Sequence, residues 1–222
     1  MQAQTAFESS AASGGSATGL AVRGLALERG GRALFTGLSF SVAPGNGLVL
    51  RGANGSGKTS LLRILAGLTR ADAGEVVWNG KAWRGGGGDQ RAGGLYIGHA
   101  NALKDELTAA ENLAEALAFD GLKIDDEVQE LALEQMGLRS RRQVPARRLS
   151  QGQKRRIGLA RLSLSAKPLW LLDEPTNALD TEGVAIFTRL VQQHLADGGV
   201  TCIATHVPLD LSAGELNLGE AP

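Results

Sequence analysis

A single cysteine, Cys202, is present in a chain of 222 residues, so no internal disulfide framework can form. That usage fits a reducing compartment. Aromatic residues make up only 4% of the chain and the formal net charge is zero, so there is no global field to attract a polyanion. Nothing approaches the roughly 18 consecutive apolar residues that a membrane span needs. The N-terminus has neither a basic start nor an apolar run, so the chain is expected neither to span a membrane nor to carry an export signal. With 43% hydrophobic residues its length suffices for one sizeable core, one domain or a domain with a subdomain.

Glycine, by contrast, is plentiful at 31 residues, and its placement divides the chain. Residues 1–19 are mostly Ser, Ala and Gly, too poor in apolar area to offset the entropy of ordering, and read as a disordered tail. From Leu20 two short alternating strands flank the Gly30-Gly31 turn, and "GLVL" at 47–50 reads as a buried strand running into a glycine-rich loop. "GEVVWNGKAW" predicts a hairpin turning at Asn79-Gly80, followed by a flexible "GGGG" at 85–88. Helical signals then take over. Thr108 and Glu111 form a capping box, while "DDEVQELALEQMG" has an acidic start, apolar Val128, Leu131 and Met136, and a terminating Gly137. Residues 100 to about 158 therefore read as a helical insert. Strands resume at 168–173 and 200–206, either side of an amphipathic helix carrying Val184, Phe187, Leu190 and Val191. The alternation implies an α/β fold around a parallel sheet, with the domain running over 20–222.

"GANGSGKT" matches G-x-x-x-x-G-K-[ST] and lies between a predicted strand and a predicted helix, the setting that makes a phosphate-binding loop specific. The candidate binding segment is Gly52, Ala53, Asn54, Gly55, Ser56, Gly57, Lys58, Thr59 and Ser60. Its glycines permit the turns that aim amides inward, Lys58 reaches the terminal phosphates, and Thr59 can ligate magnesium. "PLWLLDEP" supplies the other half: Asp173 ends an apolar strand where it can hold magnesium through water, and Glu174 is the candidate to polarise an attacking water. His206, at the end of what reads as the last strand, is a candidate neutral donor to the γ-phosphate.

A second anion site is legible far from the first. Ser150 and Gln153 form another capping box, so the helix opening at "SQGQ" presents amides and the positive end of its dipole. Residues 135–172 hold ten Lys or Arg and no acid, whereas 101–134 hold ten acids against two lysines. Such polarity suits an anion brought by another chain, a solvated charged face, or nucleic acid, the last more naturally with interleaved aromatics.

The phosphate loop, "LSQGQ", "LLDEP", "ALD" and "ATH", in that order and spacing, resemble the nucleotide-binding subunits of ATP-binding cassette (ABC) transporters over residues 20 to about 210. The resemblance implies a P-loop NTPase: an ABC-type nucleotide-binding domain with a RecA-like core, an antiparallel β subdomain and a helical subdomain. It implies ATP and Mg²⁺ as cofactors and a head-to-tail homodimer of cassettes that forms on ATP binding. Ser150, Gly152 and Gln153 of one subunit would then cap the γ-phosphate held by the other, with Asp180 in the loop linking the two sites. Gln151 departs from the family's usual glycine. No aromatic between Phe7 and Phe35 is available to stack on adenine, and Arg29 offers its guanidinium plane instead.

"YIGHANALKDELTAAENL", "LARLSLSAKPLWLLDEP", Gly198-Gly199 and "ATHVPLDL" together are similar to the CcmA group of that family, the ATP-binding subunits of haem export in cytochrome c maturation. His99 stands nine residues before Thr108, where most of the family has glutamine and this group has "GH", and is a candidate nucleotide contact. The resemblance implies a translocase ATPase, peripheral at the cytoplasmic face of the bacterial inner membrane. Its partners would be a CcmB-like integral subunit and a CcmC-like haem-handling protein, and no nucleic acid. Another cargo (lipid, peptide or drug) and a soluble ABC ATPase acting on nucleic acid are the alternatives. His194, on a polar helix face, is expected at the surface, and no histidine is read as a haem ligand.

Overall fold

The computed structural model describes residues 19–83 and 94–219. The expected tail, apart from Gly19, and the "GGGG" at 85–88 lie outside the described residues.

Strands β1 (Leu20–Arg29) and β2 (Arg32–Val42) pair antiparallel around Gly30 and Gly31, both with positive φ (61° and 76°). At ten and eleven residues they are longer than the short strands expected. Apolar alternation slips at Gly24 (φ 58°), where a register shift between Val22 and Leu25 returns Leu25 and Leu27 to the buried face. That break makes one long strand look short in sequence. On the other side of β1 lies β4 (Ala73–Trp78), which turns through Asn79 (φ 49°) and Gly80 (φ 75°) into β5 (Lys81–Ala82), as the hairpin motif predicts. The antiparallel sheet runs β2-β1-β4-β5.

The second sheet is parallel and five-stranded, in the order β6-β7-β8-β3-β9. Its members are β3 (Gly47–Arg51), β6 (Gly94–Ile97), β7 (Leu169–Asp173), β8 (Val200–Ala204) and β9 (Ala213–Asn217). β6 and β9 were not expected from the sequence, so the segment at 200–206 is not the last strand. Both are edge strands, short and glycine-bearing, without the continuous apolar run of a central strand. The inner strands β7 and β8 alternate between two cores, while β3 gives Leu48 and Leu50 to the first. Leu169 and Leu171 with Cys202 and Ala204 join one cluster; Trp170 and Leu172 with Ile203 join the other.

Helix α1 (Lys58–Leu65) and the antiparallel sheet cover the first face, with Leu61, Leu62 and Leu65 inaccessible to solvent. Helices α2 (Ala109–Phe119), α3 (Asp126–Gln135), α4 (Gln151–Leu164) and α5 (Thr181–Ala196) contribute to the second. On α5 Phe187 and Val191 are fully buried, as the amphipathic pattern predicts. On α3 the expected stripe holds only at Met136, which is buried. Val128 and Leu131 are 42% and 57% exposed, and the buried stripe is Ala132, Leu133 and Met136. Both stripes fit a 3.6-residue period; packing selects the one that continues into Leu138. No described helix is long and apolar enough to cross a membrane.

Candidate functional site

Strand register brings the motifs to one edge. Leu50 and Asp173 are each paired with Ala204, and Ile97 with Leu172, so β3, β8, β7 and β6 end nearly level. The chain leaving those ends carries the phosphate loop, His206, Glu174 and His99. This is the carboxyl edge of a parallel sheet, where ligands bind in open α/β folds.

In the loop, Gly52, Gly55 and Gly57 have φ of 139°, 80° and 99°. A Cβ on Gly52 would collide with the Leu218 carbonyl and come within 2.6 Å of Ser56 Oγ, so only glycine lets the loop close. Lys58 is buried and donates to the carbonyls of Gly52 (2.7 Å) and Ala53 (3.0 Å), which holds its ammonium across the loop mouth. Ser56 Oγ and Asp173 Oδ2 are buried with no hydrogen-bond partner. An orphaned oxygen inside the lysine-bearing loop and another at the tip of β7 fit a cation-bound phosphate ligand, since most buried polar atoms find partners. Thr59, one residue beyond Lys58, is exposed at the start of α1.

Glu174 adopts φ 47°, a left-handed conformation unusual for a residue with a side chain. Its amide donates to the Ala204 carbonyl (2.8 Å), its carbonyl accepts from Asn177 N (3.2 Å), and its Oε1 lies 3.2 Å from His206 Nε2. The Glu174 carboxylate is largely enclosed, whereas the His206 ring is 56% exposed and faces the open edge. His99 is exposed, with Nδ1 3.5 Å from Asn177 Nδ2.

Ser150, Gly152, Gln153 and Asp180 form a separate group. Ser150 Oγ accepts from Gln153 N (3.2 Å) and Gln153 Oε1 accepts from Ser150 N (3.0 Å), the complete capping box. These residues line a cavity of about 270 Å³ together with Arg156 and Ala178. Asp180 caps α5 through the Gly183 amide (2.8 Å) and pairs with Arg156. The Gly183 bond first, and then Arg156, holds its carboxyl below the usual range. Among the described residues no hydrogen bond or ion pair joins Ser150, Gly152 or Gln153 to the phosphate loop of the same chain.

A phosphate loop and an acid-tipped strand on one edge, with a capped helix set apart, describe a known arrangement. The family profile described as ABC transporter matches residues 35–177. The chain belongs to the ABC transporter family. It is 47% identical to the cytochrome c biogenesis ATP-binding export protein CcmA of Nitrosomonas europaea, covering 87% of this chain and 91% of that one. It is 48% identical to the CcmA of Dechloromonas aromatica, covering 86% and 95%. In fold it matches the dimeric, ADP- and phosphate-bound post-hydrolysis structure of an ATP-binding cassette, with a TM-score of 0.74 at 22% identity over 85% of this chain and 88% of that one.

The charge polarity of this ABC subunit resolves within the chain. Arg139, Arg142, Arg147, Lys154 and Arg161 pair with Glu134, Glu130, Glu106, Asp105 and Asp120, so half of the basic run is matched by the acidic run before it. The two runs are one folded unit facing itself. Arg29 donates to its neighbour's carbonyl at Glu28 and lies 4.0 Å from Asp72, leaving it half-exposed.

Sequence reasoning missed Arg155, Tyr96 and Asn177. Tyr96 on β6 titrates above its usual value, through burial and then the nearby Asp173 charge. Arg155 occupies a buried position of α4 in step with Leu159 and Leu162, and a cation inside an apolar stripe was its only signal. His194 is a correction. It stacks on Trp170 with ring centroids 3.8 Å apart and 6° between planes, because the helix face that looked polar lies over β7.

Proposed function

We propose that this chain is the ATP-hydrolysing subunit of a membrane ABC complex serving haem export in cytochrome c biogenesis. The observation that carries the reading is 47–48% identity to CcmA proteins over nearly the whole chain, joined to an intact phosphate loop with Asp173 and Glu174 beside it. The loop amides and Lys58 bind the nucleotide phosphates. Thr59 and Asp173 would hold Mg²⁺, which when bound neutralises charge building between the β- and γ-phosphates. Glu174 orients the attacking water and takes up its proton, and His206, whose Nε2 lies 3.2 Å from the Glu174 carboxylate, is the donor toward the γ-phosphate once the nucleotide is bound. His99 contacts the nucleotide from the neighbouring strand end.

The separate placement of the capped helix supports a two-subunit cycle. Its box occupies the Ser150 and Gln153 amides, leaving those of Gln151 and Gly152 for an incoming anion. In a head-to-tail homodimer that anion is the γ-phosphate on the other subunit, and Asp180 relays between the sites. The chain acts as a peripheral subunit at the cytoplasmic face of the inner membrane, with a CcmB-like integral partner and a CcmC-like haem-handling protein.

The test is a pull-down of tagged Glu174→Gln from detergent-solubilised membranes of its own host with ATP and magnesium, with partners identified by mass spectrometry. Blocking hydrolysis should trap the closed dimer on its partners, so a multi-span subunit and haem-handling proteins are the expected recovery. An unrelated permease, ribosomes or nucleic acid in their place would sink the haem assignment.

A further inference from the structure

We propose that Arg155 is a positioning residue for hydrolysis: from inside α4 it fixes the backbone that carries Glu174 and the backbone that leads to His99. The proposal rests on the assignment of Glu174 to the attacking water.

Arg155 is 3% exposed. Among the described residues no carboxylate pairs with it; its bonds go to four main-chain carbonyls instead. Nε donates to Pro175 O (3.1 Å), Nη1 to Gly98 O (2.8 Å), and Nη2 to both Asp173 O and Glu174 O (2.9 Å each). Three consecutive peptide carbonyls, 173 to 175, thus converge on one guanidinium, and the fourth comes from the residue before His99.

Packing alone does not call for this group. The neighbouring inward positions of α4, Leu159 and Leu162, are filled by leucine, and burying a full charge in that stripe is costly. Burial does push the guanidinium below its usual value, while the Asp173 and Glu174 charges pull it back. What a leucine could not do is hold three successive carbonyls on one side of the chain. That arrangement accompanies the left-handed φ of 47° at Glu174, a conformation that persists only where its surroundings over-determine it. The Ala204 carbonyl holds the Glu174 amide from one side, and Arg155 holds the carbonyls from the other. If φ relaxed to a negative value, those carbonyls would leave the guanidinium and the carboxylate would swing from its place beside His206.

The same side chain links two sites. Arg155 lies five residues beyond Ser150, the cap of the helix end that receives an anion, and its fork spans the exits of β6 and β7. Movement of the helix end is thereby passed to the Glu174 peptide and to the segment entering His99. A lysine cannot replace it, because one ammonium on a flexible stem cannot bridge carbonyls from two strand ends in a planar fork.

The experiment compares the full chain with Arg155→Lys, Glu174→Gln and the double variant, measuring steady-state and single-turnover ATP hydrolysis and affinity for a fluorescent ATP analogue. Assays run at a temperature where circular dichroism shows each variant folded. Arg155→Lys is expected to lower kcat about 10- to 100-fold with KM and analogue affinity within about threefold, the pattern of a misplaced catalytic group. In the Glu174→Gln background the same change should add little to the loss in kcat, since the main effect of both runs through one carboxylate. Unchanged kcat in folded Arg155→Lys, or losses that multiply in the double variant, would overturn the proposal. Wild-type hydrolysis by Glu174→Gln alone would instead remove Glu174 from the mechanism, and the inference with it. If Arg155→Lys does not fold, Arg155→Gln, which keeps two donors without the charge, is read by the same criteria.

Discussion

A methyl group on Gly152 would lie 2.5 Å from the Ala178 carbonyl oxygen, a main-chain atom in a segment where Ala178 itself has φ 63°. Neither the α4 end nor the loop after Glu174 can yield cheaply. Gly152→Ala should therefore cost about 1–3 kcal/mol, as overpacking of a closed contact does. Urea denaturation of the two proteins checks this; equal midpoints would show that the contact gives way freely. Beside it Gln151, which stands where the family usually has glycine, is exposed, so within one subunit its side chain meets solvent. Legibility at this scale follows chemistry. Lys58, Asp173 and Glu174 were readable because each belongs to a contiguous motif whose spacing is set by the ligand. Arg155 was not, because its partners Gly98, Asp173, Glu174 and Pro175 are backbone atoms brought in from 18 to 57 residues away.

Helix α2 shows how an element is anchored beyond its own propensity. Thr108 and Glu111 form the capping box that the sequence predicts, and the two bonds from Thr108 hold the exposed Glu111 carboxyl below its usual range. Asn112, next in line, was silent in the sequence, since asparagine in a helix interior competes for backbone bonds and is usually neutral or unfavourable. Here it is 4% exposed and staples the preceding loop. Nδ2 donates to the carbonyls of Lys104, Leu107 and Thr108 at 3.0–3.1 Å, and Oδ1 accepts from Lys104 N at 2.8 Å. Truncation would leave buried backbone groups unsatisfied. Asn112→Ala should destabilise the fold by about 1–3 kcal/mol and raise amide exchange at Lys104 ahead of the global rate. Unaltered exchange there would mean that the loop is held by other contacts. The same limit hid β6 and β9: an edge strand's pairing comes from its neighbour, and "GLYI" or "AGELN" alone carries no strand period.

For the molecule as a whole, the parallel sheet is the organising fact. Strands buried on both faces read as uniform apolar runs, which made β3, β7 and β8 legible while concealing which residue faces which core. Trp170 and His194 record that division. Trp170 points to the helical side, and α5 lies over it so that the His194 ring covers its face, with Nε2 3.3 Å from the Val200 carbonyl. Burial holds the His194 pKa below its usual value, while the Val200 carbonyl, Asp197 and the Pro168 carbonyl pull weakly the other way. The folded state therefore prefers the neutral ring. An unfolded chain takes up a proton near the ordinary histidine value of about 6.5, whereas the folded chain does so only at lower pH. Between those values the unfolded state binds more protons, so this contribution is complete above about pH 6.5 and is lost as pH falls toward the depressed folded value. Carboxylates protonate lower still, and a variant separates the two effects. His194→Phe keeps an aromatic ring on Trp170 but cannot titrate. Melting temperatures measured from pH 7.5 to 5.5 should fall more steeply for the natural chain than for His194→Phe. Parallel curves would show that the stack contributes packing alone, and that the join between α5 and the sheet does not respond to pH.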